Sequence, residues 1–372
     1  MANVSRTVLV GCGGMGRQHL KIIQKMPDFE IAGICDVFEE ALAVAGDTFG
    51  VSNRYADFER MYDETRPDLV VVATQTRGHR APAVAALERG ISVLCEKPIA
   101  IDPAEADEMV AAAAASGAKL AVNHQSHVSS AVLMARDMVR RGDIGQVVLV
   151  RGRNKSGRQS GNEFTEMGTH VTDMMMRFGG APGWCSGNVW YQGRLAGVND
   201  VMEAKEMSPR DRDSGPVAGD RATAQYGFED GVLGEIHFLK FQAPNSENYG
   251  VDVTGTEGQL SVRASGRVGH ALWHLPRPME GLPGGQGDWT PVASGDSGAE
   301  DSIARMYRRV AAAIESGTDP PSCGADALTA FEMILGIYQS HREGGRRVAL
   351  PLSDRRHPLD AWRDETSDSA RK

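Results

Sequence analysis

The chain has 372 residues, 41% of them apolar and 24% charged, which suits two folded domains with ordinary cores better than one. Forty basic against 49 acidic residues leave a net charge of −9, and no basic run interleaved with aromatics is present, so nucleic acid is not an expected partner. No stretch reaches the roughly eighteen uninterrupted apolar residues of a membrane span; the Ala111 to Ala115 run lies between Asp107 and Lys119 and reads as a buried helix stripe.

The first third alternates short β-branched runs with helical patterns. The runs are Thr7 to Val10, Ile31 to Cys35, Leu69 to Ala73, Ile91 to Leu94 and Lys119 to Val122. Such alternation predicts βαβ units and a parallel sheet covered on both faces, with the domain ending near residue 122. One intervening helix spans Pro103 to Ala115, with Asp102 placed to cap it, proline in its first turn and Glu105 nearby. A further helix, Ser130 to Arg141, is closed by Gly142. The pattern then changes to longer strands: Val147 to Arg153, Trp184 to Gln192, Ala222 to Phe228, Val232 to Phe241, Val251 to Thr254 and Leu260 to Val262. Glu229-Asp230-Gly231 reads as a hairpin turn in which glycine supplies the positive φ. Residues 123–372 are therefore expected to form a second α/β domain with an open, mostly antiparallel sheet. Gly197 to Gly219, charged, and Pro276 to Gly298, rich in Gly and Pro, read as long loops. Helices Ile303 to Glu315 and Asp326 to His341 close the fold, and the polar tail after Leu352 is expected to fray. The five cysteines, Cys12, Cys35, Cys95, Cys185 and Cys323, are widely spaced without metal-binding spacing. They suit reduced thiols and a cytoplasmic protein, as does the absence of a leader pattern at the start.

Three motifs carry chemistry. Gly11-Cys12-Gly13-Gly14-Met15-Gly16 directly follows the first strand and opens a helix, so its backbone N–H groups are placed to approach a pyrophosphate. About twenty residues on, Asp36 ends the next strand, where a carboxylate accepts both ribose hydroxyls of NAD and repels a 2′-phosphate. Neither Val37 nor Phe38 offers a cation, and NAD is expected rather than NADP. Glu96-Lys97-Pro98 follows the strand ending at Leu94, at the carboxyl edge of the sheet where such folds bind ligands. The third motif runs from Glu163 to Phe178. At helical spacing Glu163, Glu166, His170 and Asp173 share one face, and Phe164, Met167, Val171, Met174, Met175 and Phe178 the other. The polar face is a solvated surface, a dyad in which Glu166 orients His170 one turn on, or a metal site to which His124 and His127 contribute. The last has no second helix with a matching His/Glu motif, and no metal is expected.

With these residues in hand the chain resembles the glucose-fructose oxidoreductase, inositol dehydrogenase and rhizopine catabolism (Gfo/Idh/MocA) family over nearly its whole length. The likeness rests on Val8 to Gly16, on Ala83 to Pro98, on Gly168-Thr-His170-Val-Thr-Asp173, on Gly255-Thr-Glu-Gly258 and on the ending from Tyr338-Gln-Ser-His to Leu350-Pro-Leu352. It implies an N-terminal Rossmann domain holding NAD(P) and a sugar or cyclitol bound against the open sheet of the second domain. Lys97 and His170 then stand at the reaction centre, with Glu166 as orienter, in place of an aspartate common at that position, and Asp173 and His124 toward substrate. Gly11, Gly13, Gly14, Met15, Gly16, Asp36, Thr74, His79, Glu96 and Asn123 line the cofactor crevice, and a cis bond precedes Pro98. The likeness also implies a homodimer or homotetramer. Two features depart from it: Asn123-His124-Gln125-Ser126-His127 replaces an Arg and an aromatic, and Gln159 to Glu163 replaces a glycine-rich lead into the His170 helix.

The expected activity is hydride transfer between nicotinamide and a secondary hydroxyl of a sugar, glycoside or cyclitol. The alternative is redox-assisted hydrolysis, elimination or epimerisation with NAD recycled in place, for which His124, His127 and Glu163 are spare bases. A non-catalytic NAD-binding regulator is a third reading, against which the presence of both Lys97 and His170 argues.

Overall fold

The computed structural model describes residues 4–153, 163–207, 213–239, 249–263, 271–276, 289–294 and 299–370. The chain folds into two compact units. The first comprises Met1–His124, Arg212–Gly215 and Ile303–Leu328; the second comprises Gln125–Asp211, Pro216–Ser302 and Thr329–Lys372.

In the first unit β1 (Ser5–Val10), α1 (Gly14–Ile23), β2 (Phe29–Cys35), α2 (Glu39–Phe49), β3 (Arg54–Tyr55) and α3 (Phe58–Thr65) are followed by β4 (Leu69–Val72), α4 (Arg80–Glu88), β5 (Ser92–Cys95), α5 (Pro103–Ser116) and β6 (Leu120–Val122). The strands form one parallel sheet in the order β3-β2-β1-β4-β5-β6. Every residue of β4, and Val93, Leu94 and Cys95 of β5, is inaccessible to solvent, as strands sandwiched between helices must be. The order reverses between β2-β1 and β4, and ligands of such sheets bind outside the carboxyl ends at that reversal. Helix α5 starts as its sequence dictates: Asp102 Oδ1 accepts the Glu105 N–H at 2.8 Å, and Gly117, at φ 77°, ends it. Its alanine run is not a buried stripe, however. Ala111, Ala114 and Ala115 are exposed, and the buried residues are Pro103, Ala106 and Met109. Alanine is the best helix former and carries little apolar area, so its exposure costs little. The chain after residue 300 returns to this unit: the Val122 N–H donates to the Ser322 carbonyl at 2.9 Å, and Ala121 pairs with Cys323.

The second unit contains α6 (Ser130–Arg141), β7 (Val147–Arg153), α7 (Gly168–Gly179), β8 (Pro182–Tyr191), β9 (Arg194–Leu195), β10 (Met202–Glu203), α8 (Ala204–Met207) and β11 (Pro216–Val217). It continues with β12 (Arg221–Phe228), β13 (Leu233–Phe238), β14 (Gly250–Gly255), β15 (Gln259–Arg263), β16 (Leu272–Leu275) and β17 (Thr290–Val292). Helices α9 (Ala299–Ser316) and α10 (Gly324–Arg342), strand β18 (Val348–Ala349) and helix α11 (Pro358–Ala370) complete the chain. The large sheet runs β17-β16-β15-β14-β7-β13-β12-β8-β18, with β9 paired to β8. Only β13 and β7 are parallel; the other pairs are antiparallel. The turn at Glu229-Asp230-Gly231 joins β12 to β13, with Asp230 at φ 55° and Gly231 at φ 77°.

Part of the charged 197–219 loop is ordered as a small β10–β11 hairpin; residues 208–212 lie outside the described residues, as do most of 276–298 and the lead 159–162. The expected fraying after Leu352 is overturned. Residues 358–370 form α11, whose Leu359 and Ala361 are buried. His357 Nδ1 accepts the Leu359 N–H at 3.2 Å, and Arg363 donates to the Val201 carbonyl at 2.7 Å. A few buried apolar residues and a cap thus anchor a segment whose average composition is polar.

Helix α7 lies on the sheet because β7 offers a glycine beneath it. A Cβ on Gly152 would fall 2.6 Å from Val171 Cγ1 and 2.7 Å from the Met175 sulfur. Gly152→Val is expected to cost about 1–3 kcal/mol by overpacking, read as a lower denaturant midpoint.

Candidate active site

Strand β1 ends in the glycine-rich turn, whose glycines are required for different reasons. Gly11 has φ 99°, and a Cβ there would lie 2.6 Å from the Ala73 carbonyl and the Thr74 nitrogen. A Cβ on Gly16 would lie 1.9 Å from the Gly11 oxygen. Those two make the turn; Gly13 and Gly14 face open space, which leaves room for a ligand at the N-terminus of α1. Met15, beside them, is exposed. Asp36, at the end of β2, is fixed by the turn it faces: Oδ2 accepts the Cys12 N–H at 2.7 Å and Oδ1 the Phe38 N–H at 2.8 Å. Gly11, Gly13, Asp36 and Thr74 line a cavity of about 560 Å³ together with Val37 and Phe38, which are 78% and 72% exposed. A glycine-rich turn, a carboxylate held by backbone donors and an open cavity between them fit a dinucleotide.

The cavity wall contains two charged residues that the sequence pattern did not flag. Arg77 reaches it from the loop after β4, and Asp213 from the charged loop; the Arg77 N–H donates to the Asp213 carbonyl at 3.0 Å. Burial first, and then the Asp36 charge, push the Cys12 and Cys35 thiols up to about 12, so both remain protonated.

After β5 the Lys97–Pro98 bond is cis. His79 is buried under this loop, with Nδ1 2.9 Å from the Pro98 carbonyl and Nε2 3.2 Å from the Thr74 carbonyl. Glu96 is also buried. Its Oε1 accepts Asn123 Nδ2 at 2.7 Å and lies 2.9 Å from His19 Nε2, and its Oε2 accepts the Lys97 N–H at 3.3 Å. Burial alone would raise the Glu96 carboxyl, but the His19 hydrogen bond and charge, the Lys97 charge and the Asn123 amide outweigh it and hold the group at about 2. Lys97 itself is half-buried. His124 is buried with Nδ1 2.8 Å from Ser322 Oγ. His19 and Tyr307 were missed by sequence reasoning. A histidine on the apolar face of α1, between Gly16 and Leu20, was the one available signal; nothing in the pattern of α9 marks Tyr307.

In the second unit the expected single helix from Glu163 to Phe178 begins instead as a π-helical turn, Glu163–Met167, and becomes α-helical at Gly168. The wider turn holds Glu166, and the α-helix that follows it holds His170. The side chain of Glu163 lies outside the described residues; Glu166 is half-buried. Nor is this face solvated beyond the turn: His170 is 3% and Asp173 2% exposed. The His170 ring meets Tyr249 edge-on at 6.3 Å. His127 Nδ1 lies 3.0 and 3.1 Å from the two Asp173 oxygens. Phe164, Val171, Met174, Met175 and Phe178 are buried as their spacing predicts, whereas Met167, assigned to the same face, is half-buried in the π-helical turn. Among the described residues no three His, Cys, Asp or Glu side chains cluster as metal ligands, and no helix is long and apolar enough to cross a membrane.

Comparison with known proteins matches both parts of the chain. Residues 5–124 fit the family model described as the oxidoreductase family, NAD-binding Rossmann fold, and residues 136–350 fit that of its C-terminal alpha/beta domain. The D-apiose dehydrogenase of Paraburkholderia graminis is 27% identical over 357 residues, 92% of this chain and 88% of that one. The 1,5-anhydro-D-fructose reductase of Ensifer adhaerens is 28% identical over 363 residues, 92% of this chain and 97% of that one. A levoglucosan dehydrogenase solved with NADH and levoglucosan shares the fold, with a TM-score of 0.75 at 19% identity over 93% of this chain and 99% of that one.

Because a Cβ on Gly13 meets no protein atom within 4 Å, Gly13→Ala is expected to leave the melting temperature unchanged. It should nevertheless weaken NAD binding about tenfold or more by filling space that the pyrophosphate needs, as measured by titration calorimetry.

Proposed function

Since the chain belongs to the Gfo/Idh/MocA oxidoreductase family in both its NAD-binding Rossmann part and its C-terminal part, we propose that it is an NAD-dependent dehydrogenase acting on a secondary hydroxyl of a sugar, glycoside or cyclitol. The observation that supports this reading best is the Glu96-Lys97 loop at the carboxyl end of β5, on the same sheet as a glycine turn and an Asp36 that fit a dinucleotide. The relatives named for sugar substrates support the substrate class.

Gly11, Gly13, Gly14, Met15 and Gly16 would hold the pyrophosphate, Asp36 the adenosine ribose, and Thr74, His79, Glu96 and Asn123 would line or support the rest of the crevice. Bound NAD supplies the acceptor for the carbon-bound hydrogen, which leaves with its electron pair as hydride. His170 takes the hydroxyl proton, so that full alkoxide charge does not develop. Lys97 donates a hydrogen bond from its ammonium to the same oxygen and stabilises what negative charge appears. Glu166 orients the imidazole in this reading, and Asp173 accepts a neighbouring substrate hydroxyl. His124, whose Nδ1 meets Ser322 Oγ, is the further candidate for substrate contact in this reading. The product would be a ketone, with the proton held on His170. In the same reading the protein works as a homodimer or homotetramer in the cytoplasm.

The choice of NAD rests on Asp36, whose charge opposes a 2′-phosphate. Asp36→Ala is expected to raise kcat/KM with NADP relative to NAD about 10- to 100-fold, since it removes the repulsion and leaves Arg77 in the cavity wall. An unchanged ratio would place the selectivity elsewhere.

The direct test is NADH absorbance with purified protein, NAD and a panel of sugars, glycosides and inositols. Net NADH and a product two hydrogens lighter are expected; product without net NADH would instead indicate a cofactor recycled in place. Lys97→Ala and His170→Ala should each lower kcat about 10²- to 10⁴-fold while NAD still binds. Near-wild-type turnover in either variant removes that residue from the mechanism.

A further inference from the structure

The glycine-rich turn opens α1, and three residues after Gly16 that helix carries His19, with no exposure to solvent. His19 is not a surface or cofactor-facing residue. Its Nε2 lies 2.9 Å from Glu96 Oε1, and its Nδ1 lies 2.8 Å from the hydroxyl of Tyr307 on α9. Tyr307 is itself fully buried, its ring edge-on to both His19 and Phe29. Burial first, and then the Glu96 charge, hold its hydroxyl well above the usual phenol range, so it stays protonated. The groups facing Glu96 are therefore His19 from α1, Tyr307 from α9, Asn123 beyond the end of β6, and Cys95 and Lys97 from its own strand and loop.

The chemistry of this chain of contacts fixes its direction. An ionised carboxylate has no proton to give, so the Nε2–H of His19 must donate to Glu96 whether the ring is neutral or charged. Asn123 donates to the same oxygen. Oε1 is thus committed to His19 and Asn123, and Oε2 is left on the Lys97 side, where it accepts the Lys97 N–H. A carboxylate this deeply buried keeps its charge only with such partners.

We infer that His19 and Glu96 are positioning residues for Lys97: His19 fixes the Glu96 carboxylate, and Glu96 holds the Lys97 loop in place with its negative charge beside the lysine. This rests on the reading of Lys97 as the group at the reacting oxygen. It joins α1, whose first turn meets the dinucleotide, to the loop that meets the substrate. Neither His19 nor Tyr307 touches substrate in this account, so removing them alters catalysis through Lys97 and not through NAD affinity.

The test uses the full-length protein and reads kcat and KM against pH, NAD affinity by titration, and thermal stability. Glu96→Gln keeps the shape and removes the charge. It should move the alkaline limb of the kcat profile down by about one pH unit or more, because an ammonium without its counter-ion loses its proton earlier. His19→Phe should lower kcat about 10- to 100-fold with NAD affinity near that of the wild type. It should also move the acid limb up, since a buried Glu96 without its partner takes up a proton at higher pH. His19→Gln, which offers an amide N–H to Glu96, should restore most of the lost kcat. Unshifted profiles in Glu96→Gln and His19→Phe overturn the inference, as does a loss of melting temperature with kcat and profile intact. Should His19→Phe fail to fold, the alkaline limb of Glu96→Gln decides alone. Full turnover in Lys97→Ala would instead defeat the role of Lys97; an inactive Lys97→Ala beside an unaltered Glu96→Gln defeats only the inference.

Discussion

A carboxylate with almost no access to water sets the terms for the first unit. Glu96 must be matched by donors and positive charge, and the chain supplies them from four places far apart in sequence: His19, Lys97, Asn123 and, through His19, Tyr307. Through Tyr307 the residues after 300 take part in this network, within a unit that also comprises residues 1–124 and 212–215. A parallel sheet with helices on both faces would be stable without a buried charge. The charge is kept where it faces the loop after β5, at the edge of the sheet where ligands of this architecture bind.

The glycine turn shows a related division of labour. Gly11 and Gly16 are needed by the protein itself, since a Cβ at either would overlap backbone, whereas Gly13 is needed only by what binds beside it. Folding and binding demands thus fall on neighbouring residues of one six-residue motif. Asp36 joins the two, because its carboxylate is oriented by the backbone N–H groups of Cys12 and Phe38 before any ligand arrives. Such preorganisation lowers the entropy lost on binding.

In the second unit the site helix is placed by close packing. Gly152 lets α7 descend onto β7, and Gly168 lies where a side chain would strike Ile334 and Phe238. The polar side of the same helix is buried as well. The His127–Asp173 pair satisfies there what a solvated face would have given to water.

Much of this was legible in the chain. The alternation of β-branched runs and helices, the glycine turn followed by Asp36, the Asp102 and Gly142 stop and start signals and the hairpin at Gly231 all depend on local chemistry, so sequence determined the Rossmann sheet, the cofactor half and the two-part architecture. What failed did so for tertiary reasons. Alanines at 111–115 were left outside because their helix buries another face; the tail after 352 became α11 because Leu359, Ala361 and His357 found partners; the single α-helix expected from Glu163 opens instead as a π-turn before Gly168. The partnerships of His19 with Glu96, His124 with Ser322 and His127 with Asp173 span 77, 198 and 46 residues. No periodicity encodes such pairs. Sequence sets which groups are available and which local turns hold them, but which buried charges meet is decided only when the folded chain removes their access to water.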